Sequence, residues 1–343
     1  MRLMLMVNRI FLKYDFRRAP FSPVSHADLY HCALEQVQWG EKQGIGTTMV
    51  CEHHGTDDGY CPSPLITLSA MAAVTKKMRL VTSVIILPFH NPLRLAEDIA
   101  VLDVISNGRV DLVMAAGYIP SEFEMFDVPL KKRPSIVENS IATLRRAWTG
   151  EFFDYHGRQV KVTPVPAQVG GPKIILGGSS DAAAKRAAKI ADGYMPAVPE
   201  TFMTYIEESH RLNKTALILG GQGPLFLYVS EDPDQAWAEI APYAMHETNC
   251  YSQWAEQAGM DNTYYRAAND ADALRKTGMY AILTPEQCVK MAQDLGDWGA
   301  IALHPLMGGL PPELSWPSLE LFASKVLPEL SIDSGSVFDM SRL

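Results

Sequence analysis

Short apolar runs alternate with amphipathic stretches along most of the chain. Runs rich in Val, Ile and Leu predict buried strands, because a strand covered on both faces shows no polar alternation. The predicted strands span residues 3–8, 47–51, 79–87, 110–115, 173–176, 225–229 and 300–303. Apolar residues three and four positions apart predict helices. The predicted helices span residues 28–44, 64–75, 92–106, 133–148 and 180–191.

This alternation of strands and helices implies a parallel sheet and the α/β fold class. The chain holds about eight strand–helix units, the number that closes a TIM (β/α)8 barrel. An open doubly wound sheet would carry a glycine-rich turn after its first strand, and residues 9–13 contain no glycine. We therefore predict one TIM-barrel domain with insertions over residues 1–343.

Two segments interrupt the alternation. Residues 151–171 contain short strand-like pieces and a Pro-Val-Pro sequence, and residues 243–279 are polar, aromatic and weakly periodic. Long excursions from a barrel usually serve function. We expect the second segment to form a mobile lid.

The composition is that of an ordinary soluble enzyme, with 47% hydrophobic and 20% charged residues. A net charge of −9 and the lack of a long basic run argue against nucleic acid as a partner. No apolar run approaches the roughly 18 residues of a membrane span. The 5 cysteines show neither a disulfide framework nor a CxxC zinc pattern. We expect a cytoplasmic protein without a metal site.

Two adjacent histidines, His53 and His54, follow the second predicted strand. Active sites of barrel enzymes lie at the C-terminal ends of the strands, and successive strand side chains alternate in direction. We assign His53 to the barrel mouth as the catalytic residue, because an ordinary imidazole pKa near 6.5 suits proton transfer at neutral pH. The structural alternative is a histidine that only holds a loop. Adjacent histidines lack the i, i+4 spacing of a helical zinc pair.

The strand at residues 173–176 leads into Leu176-Gly177-Gly178-Ser179-Ser180 and then an Ala-rich helix. Glycines let the backbone approach a ligand closely, and a helix N-terminus with serine hydroxyls favours an anion. This arrangement predicts a phosphate site. The structural alternative is a glycine turn with a serine cap, which many helices have.

The fourth predicted strand ends in Ala116-Gly117-Tyr118, small residues followed by an aromatic ring. They suit the edge of a flat ligand, and they equally suit tight packing. Arg133 follows at the start of a helix, where it can meet a phosphate charge or simply face solvent. His90 stands between two prolines, so we expect a structural role for it.

Several runs, in this order, resemble the bacterial-luciferase-like flavin-dependent monooxygenases. The likeness covers roughly residues 1–330, and the order and spacing of the runs make chance an unlikely explanation. The matching runs are residues 51–54, 87–98, 102–109, 117–118, 122–126, 176–180, 303–305 and 319–322.

The resemblance implies a TIM barrel that binds reduced FMN, supplied by a separate flavin reductase, and reacts it with O2. A flavin C4a-hydroperoxide then oxygenates a small substrate, for which an apolar molecule is our expectation. His53 maps beside the reactive edge of the flavin, and a non-proline cis peptide maps near Ser83 and Val84. Ala116, Gly117 and Tyr118 map to the flavin-contacting end of the fourth strand. The family also implies a homodimer and a mobile loop at residues 243–279.

One departure from the family leaves the cofactor open. Luciferase carries an arginine for the flavin phosphate where this chain has Ala116. Arg133 is our candidate for that charge, and Leu176 to Ser180 form the rest of the phosphate site. The same departure leaves room for a relative that transfers hydride with a deazaflavin coenzyme. A non-catalytic flavin-binding subunit is the alternative outside enzymes.

Overall fold

The computed structural model describes residues 7–221, 223–260, 265–296, 299–332 and 338–339. The strands of this part of the chain are β1 (Val7–Tyr14), β2 (Thr47–Val50), β3 (Arg79–Ile86), β4 (Val110–Ala115), β5 (Phe153–Tyr155), β6 (Arg158–Val160), β7 (Lys173–Gly178), β8 (Gly193–Pro196), β9 (Leu217–Ile218), β10 (Phe226–Val229), β11 (Tyr280–Leu283), β12 (Ala300–Leu303), β13 (Ser331–Ile332) and β14 (Phe338–Asp339). The α-helices are α1 (His26–Gln43), α2 (Pro64–Val74), α3 (Pro92–Ser106), α4 (Pro120–Met125), α5 (Arg133–Ala147), α6 (Asp181–Ile190), α7 (Thr201–Arg211), α8 (Pro233–Gln257), α9 (Ala271–Lys276), α10 (Pro285–Leu295) and α11 (Pro312–Leu321). None of these helices combines the length and the apolar character of a membrane span.

The first strand differs from its predicted position. We predicted residues 3–8, of which residues 3–6 lie outside the described residues, whereas β1 runs from Val7 to Tyr14. Arg9 and Lys13 hid the strand in the sequence, yet Arg9 is buried in it. The strand is followed by Asp15-Phe16-Arg17, which contains no glycine. The glycine-rich turn of an open doubly wound sheet is therefore still missing after the first strand.

Most of the predicted lid segment is helical. Helix α8 continues to Gln257 and α9 follows, while residues 261–264 lie outside the described residues. Pro242 lies inside α8. An internal proline removes a backbone donor and usually signals a helix end, so the pattern looked weakly periodic. The mobility of the segment stays a prediction.

The chain divides into two compact units, and it passes from the first to the second within β2. The first unit comprises residues 1–49, 54–61 and 221–335. In it β1 pairs in parallel with β12 and β13, and β10 pairs in parallel with β11. Trp237 and Ile240 of α8 pack with Phe226 and Tyr280 of these strands in one apolar cluster. The interpretation as one domain remains a prediction.

The second unit comprises residues 50–53, 62–220 and 336–343. Its sheet has the order β3, β4, β7, β8, β9, and these neighbours pair in parallel. Helices follow the strands, and most side chains of β3, β4 and β7 are buried, as the continuous apolar runs predicted. The insertion predicted at residues 151–171 contains the antiparallel hairpin β5–β6. The C-terminal ends of the strands therefore share one edge of this sheet.

A buried arginine joins two helix ends in the second unit. The Arg109 guanidinium donates to the carbonyls of Ala72 and Thr75 at the end of α2 and to the Met78 carbonyl. Its Nε donates to the carbonyl of Ser106, the last residue of α3. The last carbonyls of a helix have no hydrogen-bond donor within the helix. A cation at this end also interacts favourably with the partial negative charge of the helix dipole. Arg109 thus fixes α2 and α3 against the start of β4.

Candidate active site

His53 pairs with a carboxylate at the C-terminal edge of the second unit's sheet. Its Nδ1 lies 2.9 Å from Oε1 of Glu122 on α4, and both residues are buried. A carboxylate at Nδ1 holds the proton of a neutral imidazole on that nitrogen. The Nε2 atom then becomes the position that takes up or delivers a proton. The Tyr118 ring meets the His53 ring edge-on, with centroids 6.1 Å apart.

Glu52, the residue before His53, fixes the chain at this point. Its side chain is fully buried, and Oε2 accepts a hydrogen bond of 2.7 Å from the backbone N–H of Ile86, the last residue of β3. Its Oε1 lies 2.8 Å from Nε2 of His90. His90 thus has the structural role that we expected. Because successive side chains point in opposite directions, this anchor sets the direction of His53.

The strands β3 and β7 each contain a short half-buried stretch, and on β3 this stretch precedes the buried last residues Ile85 and Ile86. On β3 it comprises Ser83 and Val84, and the peptide bond between them is cis, as the resemblance implied. Gly177 and Gly178 end β7 in the same half-buried state. A strand covered on both faces buries all its residues. Ser83, Val84, Gly177 and Gly178 are therefore open to contact with a ligand.

Ala116, Gly117 and Tyr118 follow β4 on this edge and are all half-buried. Gly117 has a φ of 71°, which favours glycine. A Cβ at this position would lie 2.7 Å from Cγ2 of Ile86, so the backbone has room only for glycine. Beyond it, Phe123 contacts Phe89 with ring centroids 4.9 Å apart. The wall beside His53 is therefore aromatic.

The predicted phosphate site is a strand end followed by a capped helix. Ser180 is the N-cap of α6, where its Oγ accepts a hydrogen bond from the Ala183 N–H, and Ser179 and Ser180 are exposed. A Cβ at Gly178 would lie 2.5 Å from the Ala183 Cβ, so glycine permits this close approach. The Asp181 carboxylate accepts a hydrogen bond from Thr204, and its negative charge disfavours an anion here.

Arg133 lies at the same level as this helix start. It is the first residue of α5, and Asp181 is the first residue of α6. The Nε of Arg186 lies 2.8 Å from Oε1 of Glu138, which joins the sixth residues of the two helices. The helices α5 and α6 are therefore in contact at their sixth residues. Arg133 is half-buried at the start of α5 and remains the candidate cation for the phosphate.

One cavity of the second unit lies at the other end of these strands. It has a volume of about 510 Å³ and includes Gly171, Lys173 and Asp192. Lys173 begins β7, whereas Gly177 and Gly178 end it. Because barrel enzymes work at the C-terminal strand ends, this cavity is not the candidate site.

Sequence reasoning missed the two carboxylates of the site. Glu122 and Glu52 both lie within the runs that matched the family, but no role followed from the pattern. Glu122 is 69 residues from His53, and Glu52 is 38 residues from His90. A hydrophobic residue pattern contains no information about such distant pairs. For Glu52, the available signal in the sequence was its position directly before two histidines.

The match to a family model covers most of the chain. Residues 11–301 match the model of the luciferase-like monooxygenases. The chain belongs to the luciferase-like monooxygenase family.

Two curated relatives illustrate the similarity of this luciferase-like chain. The uncharacterised protein y4vJ of Sinorhizobium fredii is 32% identical over 42% of this chain and 41% of its own length. The oxygenase component of the flavin-dependent trigonelline monooxygenase of Acinetobacter baylyi is 29% identical over 43% of this chain and 42% of its own length. The matches thus span about two fifths of the length of these relatives.

Solved structures resemble the luciferase-like chain over nearly its whole length. Monooxygenase RslO1 of Streptomyces bottropensis has a TM-score of 0.76 and 22% identity, over 93% of this chain and 99% of its own. The FMN complex of the oxygenating constituent of 3,6-diketocamphane monooxygenase of Pseudomonas putida has a TM-score of 0.71 and 17% identity, over 96% and 100%. An F420-dependent secondary alcohol dehydrogenase has a TM-score of 0.67 and 16% identity, over 96% and 100%. At these identities the likeness concerns the fold, and the predicted TIM-barrel class is confirmed.

Proposed function

We propose that this chain is the oxygenase component of a flavin-dependent monooxygenase. It would use reduced FMN from a separate reductase, together with O2, to oxygenate a small apolar substrate. The observation that carries this proposal is the buried His53–Glu122 pair, in which Nδ1 and Oε1 are 2.9 Å apart. The family and the oxygenase-component relative support it. A homodimer and a cytoplasmic location remain predictions.

The residues at this edge fit FMN in three respects. Gly178, Ser179 and Ser180 offer a close backbone, hydroxyls and a helix N-terminus to the phosphate. Ser83, Val84, Ala116 and Gly117 leave a shallow, half-open face for a flat ring. Arg133, the first residue of α5, would supply a cation for the phosphate. Bound reduced FMN would supply the electrons that activate oxygen, and the protein would position the substrate.

The task of His53 in this proposal is to hold or move a proton at Nε2. Glu122 accepts a hydrogen bond from the Nδ1–H group and so leaves the Nε2 lone pair free to take up a proton. The aromatic wall of Tyr118, Phe123 and Phe89 excludes water from the site and favours an apolar substrate. Glu52 keeps the histidine in place through the Ile86 N–H.

We expect Glu122→Gln to lower kcat about 100-fold. The glutamine NH2 group would donate to Nδ1, which moves the imidazole proton to Nε2, where it blocks proton uptake. The matched control is Glu124→Gln, an exposed residue of the same helix α4. Product formation from decanal and cyclohexanone, with reduced FMN and O2, measures the effect. Equal kcat values for the two variants would remove Glu122 from the proposal.

We expect Arg133→Ala to raise the Kd of FMN about tenfold, because it removes one charged contact to phosphate. The Kd of riboflavin, which lacks the phosphate, should stay unchanged. Arg146→Ala, at the other end of α5, is the control. Fluorescence titration measures each Kd. An equal loss for both ligands would show that Arg133 supports the fold and not the phosphate.

A deazaflavin-dependent hydride transfer is the second candidate function. Two observations favour it: Ala116 stands where luciferase has its phosphate arginine, and an F420-dependent dehydrogenase shares the fold. Anaerobic titration of the purified chain with reduced FMN, and separately with reduced F420, distinguishes the two. Micromolar binding of FMN with much weaker binding of F420 supports the oxygenase. The reverse order of affinity would replace it with the hydride-transfer function.

A further inference from the structure

Three side chains with metal-binding atoms meet within the first unit. Asp58 lies in the loop after β2, and His246 and Cys250 lie on α8. The Nε2 of His246 is 3.0 Å from Oδ2 of Asp58. The Sγ of Cys250 is 3.8 Å from His246 Nε2 and 3.9 Å from Asp58 Oδ2. We propose that Asp58, His246 and Cys250 bind a divalent metal ion of the zinc type.

The distances match the edges of a tetrahedral site. Zinc bonds to sulfur at about 2.3 Å and to nitrogen or oxygen at about 2.0–2.2 Å. Neighbouring ligand atoms of such a tetrahedron are therefore about 3.4–3.6 Å apart. The three observed distances lie within about half an ångström of that range. Small side-chain rotations would place an ion between these atoms.

Helix α8 pairs two of the ligands by its geometry. His246 and Cys250 are four residues apart, and residues at i and i+4 lie on the same face of a helix. Two ligands at this spacing on one helix are a frequent half of a zinc site. The helix is continuous across both residues. The pair therefore does not depend on a loop.

The third ligand is held by its backbone. The Arg18 N–H donates a hydrogen bond of 2.8 Å to the carbonyl of Asp58. Gly59, the next residue, has a φ of 67°, and a Cβ there would lie 2.3 Å from Nε2 of His26. Glycine thus allows the turn that presents Asp58. The Nε of Arg17 lies 3.5 Å from the same oxygen, Asp58 Oδ2, and contributes to its position.

The chemistry of the ligands favours zinc over hard cations. A thiolate, an imidazole and a carboxylate suit Zn²⁺, whereas Mg²⁺ and Ca²⁺ prefer oxygen alone. The two anions, Cys250 and Asp58, balance a 2+ charge. Three protein ligands leave the fourth position to water or a small ligand. His246 and Cys250 are partly exposed, so an ion from solvent can reach them.

The same contacts also support an ion pair without a metal. Burial lowers the pKa of His246, but its hydrogen bonds to Asp58 and Cys250 raise the pKa to about 9. A metal ion would displace this proton, so binding should release protons. The experiment must therefore detect the metal–thiolate bond itself, because an ion pair cannot produce its spectrum.

A second group in this unit is less suited to bind a metal ion. It consists of Asp15, Glu247 and His304. The two His304 nitrogens lie 3.4 Å from Asp15 and from Glu247, and all three residues are fully buried. Burial raises the pKa of Glu247, but His304 lowers it to about 2. Tyr280 donates a hydrogen bond of 2.8 Å to Glu247. This group is a closed ion network that anchors α8.

The test is cobalt substitution in the purified full-length chain. After treatment with a chelator, one equivalent of Co²⁺ is added, and absorbance is recorded for the wild type, Cys250→Ala and Cys288→Ala. Cys288 is the matched control, a fully buried cysteine on α10. We expect a thiolate-to-cobalt charge-transfer band in the wild type and in Cys288→Ala, and its loss in Cys250→Ala.

Zinc affinity is measured in parallel by competition with a chromophoric chelator. We expect Asp58→Asn and His246→Ala to raise the Kd of Zn²⁺ more than about 100-fold. The reason is that the loss of a residue that only orients a metal ligand already lowers metal affinity about 10- to 100-fold. Circular dichroism verifies that each variant is folded. A charge-transfer band that persists in Cys250→Ala would overturn the proposal. So would a wild type that binds neither Co²⁺ nor Zn²⁺ at micromolar concentration.

Discussion

Replacing His53 with alanine should abolish turnover and leave flavin binding intact. The change removes the Nε2 atom that we propose as the site of proton transfer, and such a group contributes about 10²- to 10⁴-fold to the rate. The proposed phosphate and ring contacts involve Gly178, Ser180 and Gly117, which the change does not touch. We therefore expect kcat to fall by that factor while the Kd of FMN changes less than about twofold. Product formation from decanal and cyclohexanone gives kcat, and fluorescence titration gives Kd.

The control for this experiment is His156→Ala. His156 is exposed in the turn between β5 and β6, so its loss removes an imidazole without touching the strand ends. It should keep both kcat and Kd. If His53→Ala retains wild-type turnover, the assignment of the histidine is wrong. If it binds no flavin, the residue supports the cofactor site and not the proton transfer. A wild type that binds flavin but never turns over would favour the non-catalytic subunit.

Replacing Arg109 with alanine should destabilise the fold by about 3–4 kcal/mol. The change leaves the carbonyls of Ala72, Thr75 and Met78 without their donor in a buried place. It also removes the contact with the end of α3. Each buried carbonyl that loses its partner costs about 1–3 kcal/mol. The midpoint of chemical denaturation, with the slope of the transition, gives the free energy of unfolding.

Arg94→Ala is the matched control for Arg109→Ala. Arg94 lies near the start of α3 and forms ion pairs with Glu97 and Asp98, and its side chain is 71% exposed. Exposed ion pairs contribute little, so we expect a change below about 1 kcal/mol. Equal losses in both variants would mean that Arg109 makes no special contribution to the helix ends.

Local pattern predicted several regular elements well, whereas α4, α7, α10, α11, β8 and β11 were not predicted. Helix α3 begins and ends where the pattern placed it, and β4 and β12 also match. Proline at the first turn and an apolar face at spacings of three and four residues contain that information. Helix α8 was the main miss in the helices, since Pro242 and the aromatic residues masked its period.

That miss had a chemical consequence. His246 and Cys250 form an i, i+4 pair only if the segment is helical, so no metal site was predicted. The partners of Asp58 lie 188 and 192 residues away along the chain. For the same reason, the contact between Glu122 and His53, which are 69 residues apart, was not predicted. Sequence patterns predict which face of an element is buried, and they do not predict which distant side chains meet there.

Rapid mixing of the reduced FMN complex with oxygenated buffer is the most direct test of the monooxygenase proposal. Absorbance is recorded after mixing and compared with that of free reduced FMN. We predict a transient absorbance that belongs to neither reduced nor oxidised FMN and decays slowly without substrate. Reoxidation at the rate of free FMN, with no such transient, would contradict the proposal and favour hydride transfer with the deazaflavin coenzyme.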